Sequence, residues 1–176
     1  MDIPNLGTVI KEPQFGHYQS QPVYIPMLEQ SCYFDIEGYE TTADQESYHT
    51  AIANFLNASP EILKAAQPYI FQYYQVMNSF WEPGDEEYIE IHSPDQIWNH
   101  IELGDEAAVS RRTENDQDVY ITLSCECDWE PEHGLMIVFK NGSQVCKVGA
   151  YDGHVTNSDA YADDALENVI YYTTLG

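Results

Sequence analysis

The stretch from Cys125 to Gly134, CECDWEPEHG, concentrates residue types that could do chemistry. Cys125, Cys127, His133 and the later Cys146 are all of types that ligate zinc. On an extended strand, however, the Cα atoms of Cys125 and Cys127 would lie about 6.7 Å apart, which is awkward for two thiolates on one ion. The sequence also lacks a Cys-x-x-Cys motif. The pattern therefore favours cysteines in the core, and we predict neither a metal ion nor another cofactor.

A second possible chemistry is acid–base catalysis at His133. Carboxylates raise the pKa of a nearby histidine, which then serves as a general base. The residues that could converge on it, if two loops of the C-terminal half share an edge, are Asp128, Glu132, Asp152 and His154. The simpler interpretation is a tight turn, in which Gly134 takes a positive φ and the Glu132 and His133 side chains cap backbone groups. We expect the turn and assign no catalytic residue.

Calcium binding is a third possibility. Residues 152 to 159 offer several oxygen ligands, but their spacing differs from that of an EF-hand loop. We expect instead that Asn157, Ser158 and Asp159 cap a C-terminal helix over residues 159–172. No Walker loop, Gly-rich dinucleotide turn or His-Glu-x-x-His motif is present in the sequence.

The elements that must position these residues begin with β structure. Residues 23–28 and 32–36 are rich in strand formers and predict a hairpin, with Pro26 placing the first strand at a sheet edge. A helix should follow, capped by Thr41 or Thr42. Its apolar stripe has helical spacing and consists of Tyr48, Ala51, Ile52, Phe55 and Leu56.

A second helix is predicted from the Ser59 cap and Pro60 to about Phe80. We expect its inner face to consist of Ile62, Ala66, Tyr69, Tyr73, Val76, Met77 and Phe80. Further apolar residues, including Ile70 and Tyr74, lie elsewhere around the helix. A helix that is apolar on several sides must be covered on several sides, either inside the domain or by a second copy of the chain. The 60–80 helix is therefore also a candidate for homo-oligomer contacts.

The remaining elements are a short strand at 88–91, a small helix begun by Ser93 and Pro94, and an irregular strand near 107–111. The clearest strand covers residues 119–129, where apolar and polar residues alternate, which predicts one face in the core and one in water. Strands at 135–139 and 145–148 follow, joined by the Asn141-Gly142 hairpin signal. We predict an α+β fold: an antiparallel sheet, made of the N-terminal hairpin and a C-terminal meander, with two central helices packed on one face.

The CECDWEPEHG stretch resembles an uncharacterised bacterial domain family with a Cys-x-x-Asp-Trp strand end that leads to Glu-His-Gly. Trp129 and the Glu132-His133-Gly134 turn carry the resemblance, and the order of hairpin, two helices and meander is similar. The resemblance implies the fold over about residues 20–155 and assigns no activity. We expect one domain over residues 1–176.

Acidic residues dominate the composition. The chain carries 30 acidic against 6 basic residues, a formal charge of −24, and sixteen of the acids fall between Glu82 and Glu132. Charges this dense sum to a potential that repels nucleic acid and anionic membrane and attracts cationic surfaces. A halophilic habitat would also explain the excess, although halophiles spread acids over the whole surface. No signal peptide and no apolar run of about 20 residues is visible, so we expect a cytoplasmic protein.

These observations favour a non-enzymatic binding or inhibitor protein for a basic protein partner, such as an immunity protein that neutralises a toxin. The candidate partner-binding residues are Asp85, Glu86, Glu87, Glu126, Asp128, Glu130, Glu132 and His133. Two alternatives remain: a small metal-dependent or acid–base hydrolase centred on His133, and a structural or oligomeric protein without a ligand.

Overall fold

The computed structural model describes residues 1–112 and 116–175. The strands of these ranges are β1 (Asp2–Ile3), β2 (Gly7–Thr8), β3 (Ile10–Lys11), β4 (Tyr18–Gln19), β5 (Val23–Ile25), β6 (Gln30–Ile36), β7 (Ile101–Arg111), β8 (Val119–Cys127), β9 (Leu135–Lys140) and β10 (Gln144–Gly149). The α-helices are α1 (Gln45–Leu56), α2 (Glu61–Asn78) and α3 (Asn157–Tyr161). Short 3-10 helices cover Pro26–Leu28, Pro94–His100 and Asp164–Leu166.

An eight-stranded sheet organises the molecule, with the order β10-β9-β8-β7-β6-β4-β3, and β5 also pairs with β6. Every pairing is antiparallel except that of β6 with β7, which is parallel because α1 and α2 carry the chain back across the sheet. The predicted α+β class, the β5–β6 hairpin and the β8–β10 meander are confirmed. The strand predicted near 107–111 is longer than expected and begins at Ile101.

Helix α1 matches the predicted stripe. Its buried residues pack over the sheet, where Phe55 contacts Phe34 and Phe139 with ring centroids 6.2 and 5.2 Å apart. The predicted caps Thr41 and Thr42 were wrong: the Asp44 side chain accepts the Ser47 N–H at 3.3 Å and caps the helix.

The buried face of helix α2 overlaps the predicted one only in part: Ala66 and Tyr73 are buried, and Ile62, Tyr69 and Met77 pack against the core while partly exposed. Its buried residues are Ala66, Ile70, Tyr73, Tyr74 and Asn78, whereas Phe80 lies beyond the helix and is exposed. Tyr74 and Asn78 are buried because their polar groups form hydrogen bonds with the backbone of a neighbouring segment. Tyr74 donates to the Ile89 carbonyl at 2.8 Å and accepts the Ile91 N–H at 3.0 Å, and Asn78 accepts the Ile89 N–H at 2.9 Å. These side chains take up backbone groups of residues 88–91 that a neighbouring strand would otherwise bond. The strand predicted at 88–91 is therefore absent.

The end of the chain covers part of the second face of the sheet. The predicted helix over 159–172 was wrong, because α3 ends at Tyr161 and Ala162 takes a left-handed φ of 51°. The chain continues to the free edge of β10, where the Val148 N–H donates to the Ile170 carbonyl at 2.8 Å. Tyr120 and Thr122, predicted to face water, are therefore buried. Tyr120 forms a small apolar cluster with Met136, Val138, Cys146 and Val155.

Candidate functional site

The turn after β8 is organised by Glu130. This residue is only 9% exposed, and its carboxylate accepts the Glu132 and His133 N–H groups at 3.0 and 3.2 Å. Capping by the Glu132 and His133 side chains was predicted, but Glu130 makes these bonds instead. Gly134 has the predicted positive φ, 63°, and a Cβ there would overlap the Cys125 carbonyl oxygen. The turn therefore depends on one buried carboxylate and one glycine.

Trp129 fixes this turn to α2. The indole is buried, and its centroid lies 6.1 Å from that of Tyr73 and 5.9 Å from that of Tyr74, both in edge-to-face geometry. Tyr73 also donates to the Gly134 carbonyl at 3.0 Å. Among the described residues, no hydrogen-bond partner is found for the Trp129 Nε1 group.

The cysteines are packing residues. Cys125 and Cys127 are buried in the main core, and burial raises the pKa of each thiol to about 12, so both are protonated at neutral pH. Cys146 lies in the cluster on the other face of the sheet and donates to the Val138 carbonyl at 3.5 Å. The zinc set of Cys125, Cys127, His133 and Cys146 is therefore not brought together. Glu130, Glu132 and His133 do place one potential ligand atom each within 4.8 Å of the others.

The carboxylates of the possible hydrolytic group have other partners. Asp128 bonds His100 at 2.9 Å, and Asp152 accepts two bonds from Lys147 at 2.6 and 2.7 Å. The Nδ1 atom of His133 lies 3.5 Å from the Glu130 carboxylate, and the ring is 54% exposed. His133 and Asp152 line one cavity, but the five-residue group is not assembled there.

The possible calcium ligands are also engaged. Asp152 is paired with Lys147, as above, and Asp159 binds Arg112 through two bonds of 2.8 and 2.7 Å. The expected cap role was shifted by one position: Thr156, not Asn157 to Asp159, caps α3 by accepting the Asp159 N–H at 3.3 Å.

Four acidic side chains surround a groove of about 590 Å³ beside the turn, which we name the acidic groove: Glu102, Asp105, Glu126 and Glu132. Glu102 on β7 stands directly opposite Glu126 on β8. A β-bulge follows Leu103, and a Cβ on Gly104 would overlap the Ser124 carbonyl oxygen. Glycine thus lets the two strands approach closely at the floor of the groove. Asp128 lines an adjoining depression together with Glu102 and Glu126.

The six lysine and arginine side chains pair with acids outside the acidic groove. The pairs are Lys11 with Glu40, Lys64 with Glu61, Arg111 with Asp44, Arg112 with Asp116, Asp159 and Glu167, Lys140 with Asp116 and Asp118, and Lys147 with Asp152. Among the described residues, these lysine and arginine side chains are all engaged elsewhere, and none of them pairs with a carboxylate of the acidic groove.

The eight predicted partner-binding residues therefore divide into three groups. Glu126, Glu132 and His133 line the acidic groove, with Asp128 in the adjoining depression, and Glu130 supports the turn from inside. The exposed loop residues Asp85, Glu86 and Glu87 line neither space. Sequence reasoning missed Glu102 and Asp105, because the strand predicted near 107–111 began after both residues, whereas β7 begins at Ile101. The signal that could have found them was the acid-rich sequence Glu102 to Glu106 leading into a strand.

A second cavity, of about 440 Å³, lies on the other side of the turn and also includes His133. We name it the tyrosine cavity, because Tyr73, Tyr151, Tyr161, Tyr171 and Tyr172 line it. Helix α2, the turn, the end of β10 and the C-terminal residues each contribute to its walls.

A family model described as Domain of unknown function (DUF6985) matches residues 5–155. No curated protein and no solved structure matches the chain. Within the described residues, none of the helices combines the length and the apolar character that crossing a membrane requires.

Proposed function

The chain belongs to the DUF6985 family of unknown function, and from its surface chemistry we propose that it is a non-enzymatic protein that binds a basic protein partner. The partner surface is the acidic groove with Asp128. The partner class is a basic toxin, such as a nuclease, that the protein would neutralise in the manner of an immunity protein. The proposed compartment is the cytoplasm.

The observation that carries this proposal is the register of β7 and β8. Glu102 and Glu126 are direct cross-strand neighbours, and both are exposed. Like charges in this position destabilise a sheet, and within the part of the chain that the structure describes no lysine or arginine pairs with either residue. A partner that brings lysine or arginine to the groove would relieve this repulsion. Binding of such a partner would therefore also stabilise the pairing of β7 with β8.

The charge of the whole molecule supports the same partner class. With a formal charge of −24, the chain repels polyanions and attracts polycations before contact. Complementary charge raises association rates and discriminates between partners more than it raises affinity. Fast capture of a basic toxin is a task for which such a surface is suited.

The test is an association-rate measurement with a basic probe. The triple variant Glu102→Gln, Glu126→Gln, Glu132→Gln is mixed with an arginine-rich peptide and with a basic nuclease in a stopped-flow instrument. We expect association to be about tenfold slower than for the wild type at low salt. The difference should shrink as salt rises, because screening removes the steering.

A charge-matched control separates the groove from the total charge. The variant Glu12→Gln, Glu29→Gln, Glu46→Gln removes three exposed acids elsewhere and should slow association much less. A second triple variant, Asp85→Asn, Glu86→Gln, Glu87→Gln, tests the separate acidic loop. Equal rates for the groove variant and its control would reject the acidic groove as the partner surface.

A further inference from the structure

The tyrosine cavity has the composition of a ligand site, and it is distinct from the acidic groove. Its volume of about 440 Å³ falls in the range of small-molecule pockets, about 300 to 1,000 Å³. Ten large apolar side chains of the described residues are exposed, and four of them, Tyr151, Tyr161, Tyr172 and Leu175, line this one cavity. Apolar side chains that are exposed and clustered in this way mark binding sites.

The aromatic rings form walls at different angles. Tyr161 and Tyr172 stand edge to face, with centroids 4.8 Å apart and planes at 85°. Tyr73 and Tyr171 form a second pair, with centroids 6.1 Å apart. These four tyrosines line the same cavity, and aromatic rings attract a cation through their π faces.

Lys147 lines the cavity but does not make it an anion site. Its side chain is 2% exposed, and its ammonium group donates to both Asp152 oxygens and to the His154 carbonyl at 2.6, 2.7 and 2.9 Å. An ammonium group has three donors, so all of them are used within the protein. In a regular strand Lys147 would point to the same side of the sheet as Val145. The register shift between these two residues changes that alternation and allows the bonds of Lys147 to Asp152 and His154.

The other charged groups of the cavity are carboxylates. Glu130 and Asp152 line it, and no lysine or arginine of the described ranges, 1–112 and 116–175, pairs with Glu130. Tyrosine rings and carboxylates attract a positive group, and the charge of −24 on the chain adds to this attraction. An anion would find no free donor from Lys147 and would meet a negative potential.

We propose that the tyrosine cavity binds a small organic cation of the ammonium class. The π faces of Tyr161, Tyr171 and Tyr172 would hold its alkylated nitrogen, and Glu130 would balance its charge. These tyrosines lie beyond residues 5–155, the range that matches the family model. The site thus depends on the C-terminal segment of this chain and not only on the matched domain.

The test is a calorimetric or NMR titration of the full chain with choline, a trimethylammonium compound. Its neutral isostere 3,3-dimethylbutan-1-ol is the matched ligand control. We expect choline to bind at least tenfold more tightly than the alcohol, since only the cation interacts with the quadrupole of the rings. Equal affinities would show a purely apolar pocket and would overturn the proposal.

Variants locate the binding. Tyr161→Leu and Tyr172→Leu should each weaken choline binding about fivefold or more, because leucine has no π face, whereas Tyr161→Phe and Tyr172→Phe should stay within about twofold. Both tyrosines are exposed, at 40% and 39%, so these variants should fold. Tyr24→Leu, an exposed tyrosine outside the cavity, is the control.

Two further outcomes decide the matter. Unchanged binding in both leucine variants, or no saturable binding of either choline or the larger tetraethylammonium ion, would overturn the proposal. The groove variant Glu102→Gln should bind choline like the wild type. This result separates the fate of the cation site from that of the proposed partner surface.

Discussion

Glu130 illustrates how one side chain supports a whole turn. Its carboxylate is largely buried, and it accepts hydrogen bonds from the backbone N–H groups of Glu132 and His133. Burial of a carboxylate is tolerated when such bonds replace the lost hydration. The exposed neighbours Glu132 and His133 are consequently free to contact other molecules.

The first prediction compares the two glutamates of the turn. Glu130→Ala removes the acceptor of two backbone N–H groups and should lower the free energy of unfolding by about 2 kcal/mol. Glu132→Ala removes an exposed side chain and should change it by less than about 0.5 kcal/mol. Urea denaturation of both variants measures the difference. Equal losses would contradict the role assigned to Glu130.

The second prediction compares two glycines that both have positive φ. Gly153, with φ of 78°, has open space where a Cβ would be, whereas at Gly134 the Cys125 carbonyl oxygen occupies that space. Gly153→Ala should cost about 1 kcal/mol for the backbone conformation alone. Gly134→Ala should cost at least about 1 kcal/mol more, because β8 must shift. Thermal denaturation checks the order, and the reverse order would disprove the close approach.

At the scale of elements, Arg112 fastens the C-terminal segment to the sheet. Its side chain is 2% exposed and forms ion pairs with Asp159, Glu167 and Asp116 at 2.7, 2.6 and 3.2 Å. Asp159 and Glu167 both belong to the segment that follows β10. The ion pairs of the buried Arg112 side chain therefore hold this segment against the sheet, in addition to its apolar contacts.

The third prediction concerns this attachment. Arg112→Met should cost about 3 kcal/mol or more, because it leaves several carboxylates without their cation. The local effect should be faster hydrogen exchange at the Val148 amide, which bonds the Ile170 carbonyl. Lys64→Met, which removes a cation from an exposed pair, is the control and should leave that amide protected. Unchanged protection in Arg112→Met would refute the attachment.

Acid should loosen the same segment. Bonds from Arg112 hold the pKa values of Asp159 and Glu167 below their usual range. Groups with a lowered folded pKa stabilise the fold above their unfolded pKa of about 4, and this contribution is lost as pH falls through the folded pKa. Exchange at the Val148 amide, corrected for its intrinsic pH dependence, should therefore rise below about pH 4.

Helix α2 retains one untested prediction. Phe80 and Trp81, just beyond its end, are exposed. Contact between copies of the chain through the 60–80 helix stays a prediction. Analytical ultracentrifugation tests it, and a protein that sediments as a monomer at high concentration would count against it.

At the scale of the whole molecule, the charge of −24 opposes compactness. The fifth prediction is that salt stabilises the protein. Raising NaCl from about 0.01 to 0.15 M shortens the screening length from about 30 to 8 Å, which weakens repulsion between the acids. The midpoint of thermal unfolding should rise by several degrees. Equal effects of KCl would identify screening, and a midpoint that does not rise would contradict net repulsion.

Several features followed from the sequence alone because they depend on neighbours along the chain. The stripe of α1, the Asn141-Gly142 turn and the positive φ of Gly134 are all local patterns, and each is present in the fold. The alternation predicted for β8 is present only in its second half, because Tyr120 and Thr122 are buried. The same patterns predicted that Cys125 and Cys127 lie in the core, and their burial confirms it. Local periodicity is sufficient for such features, because it reports which side of an element is apolar.

The tertiary structure decided which side chains meet. The sequence could not place Glu102 opposite Glu126, because the register of β7 depends on a bulge and on a parallel partner from the N-terminal half. It also could not predict that Arg112 would pair with Asp159 and Glu167 of the C-terminal segment, or that Tyr74 and Asn78 would turn inward to hold residues 88–91. Partners of buried polar groups are chosen by the distant segments that need them, and no local pattern contains that information.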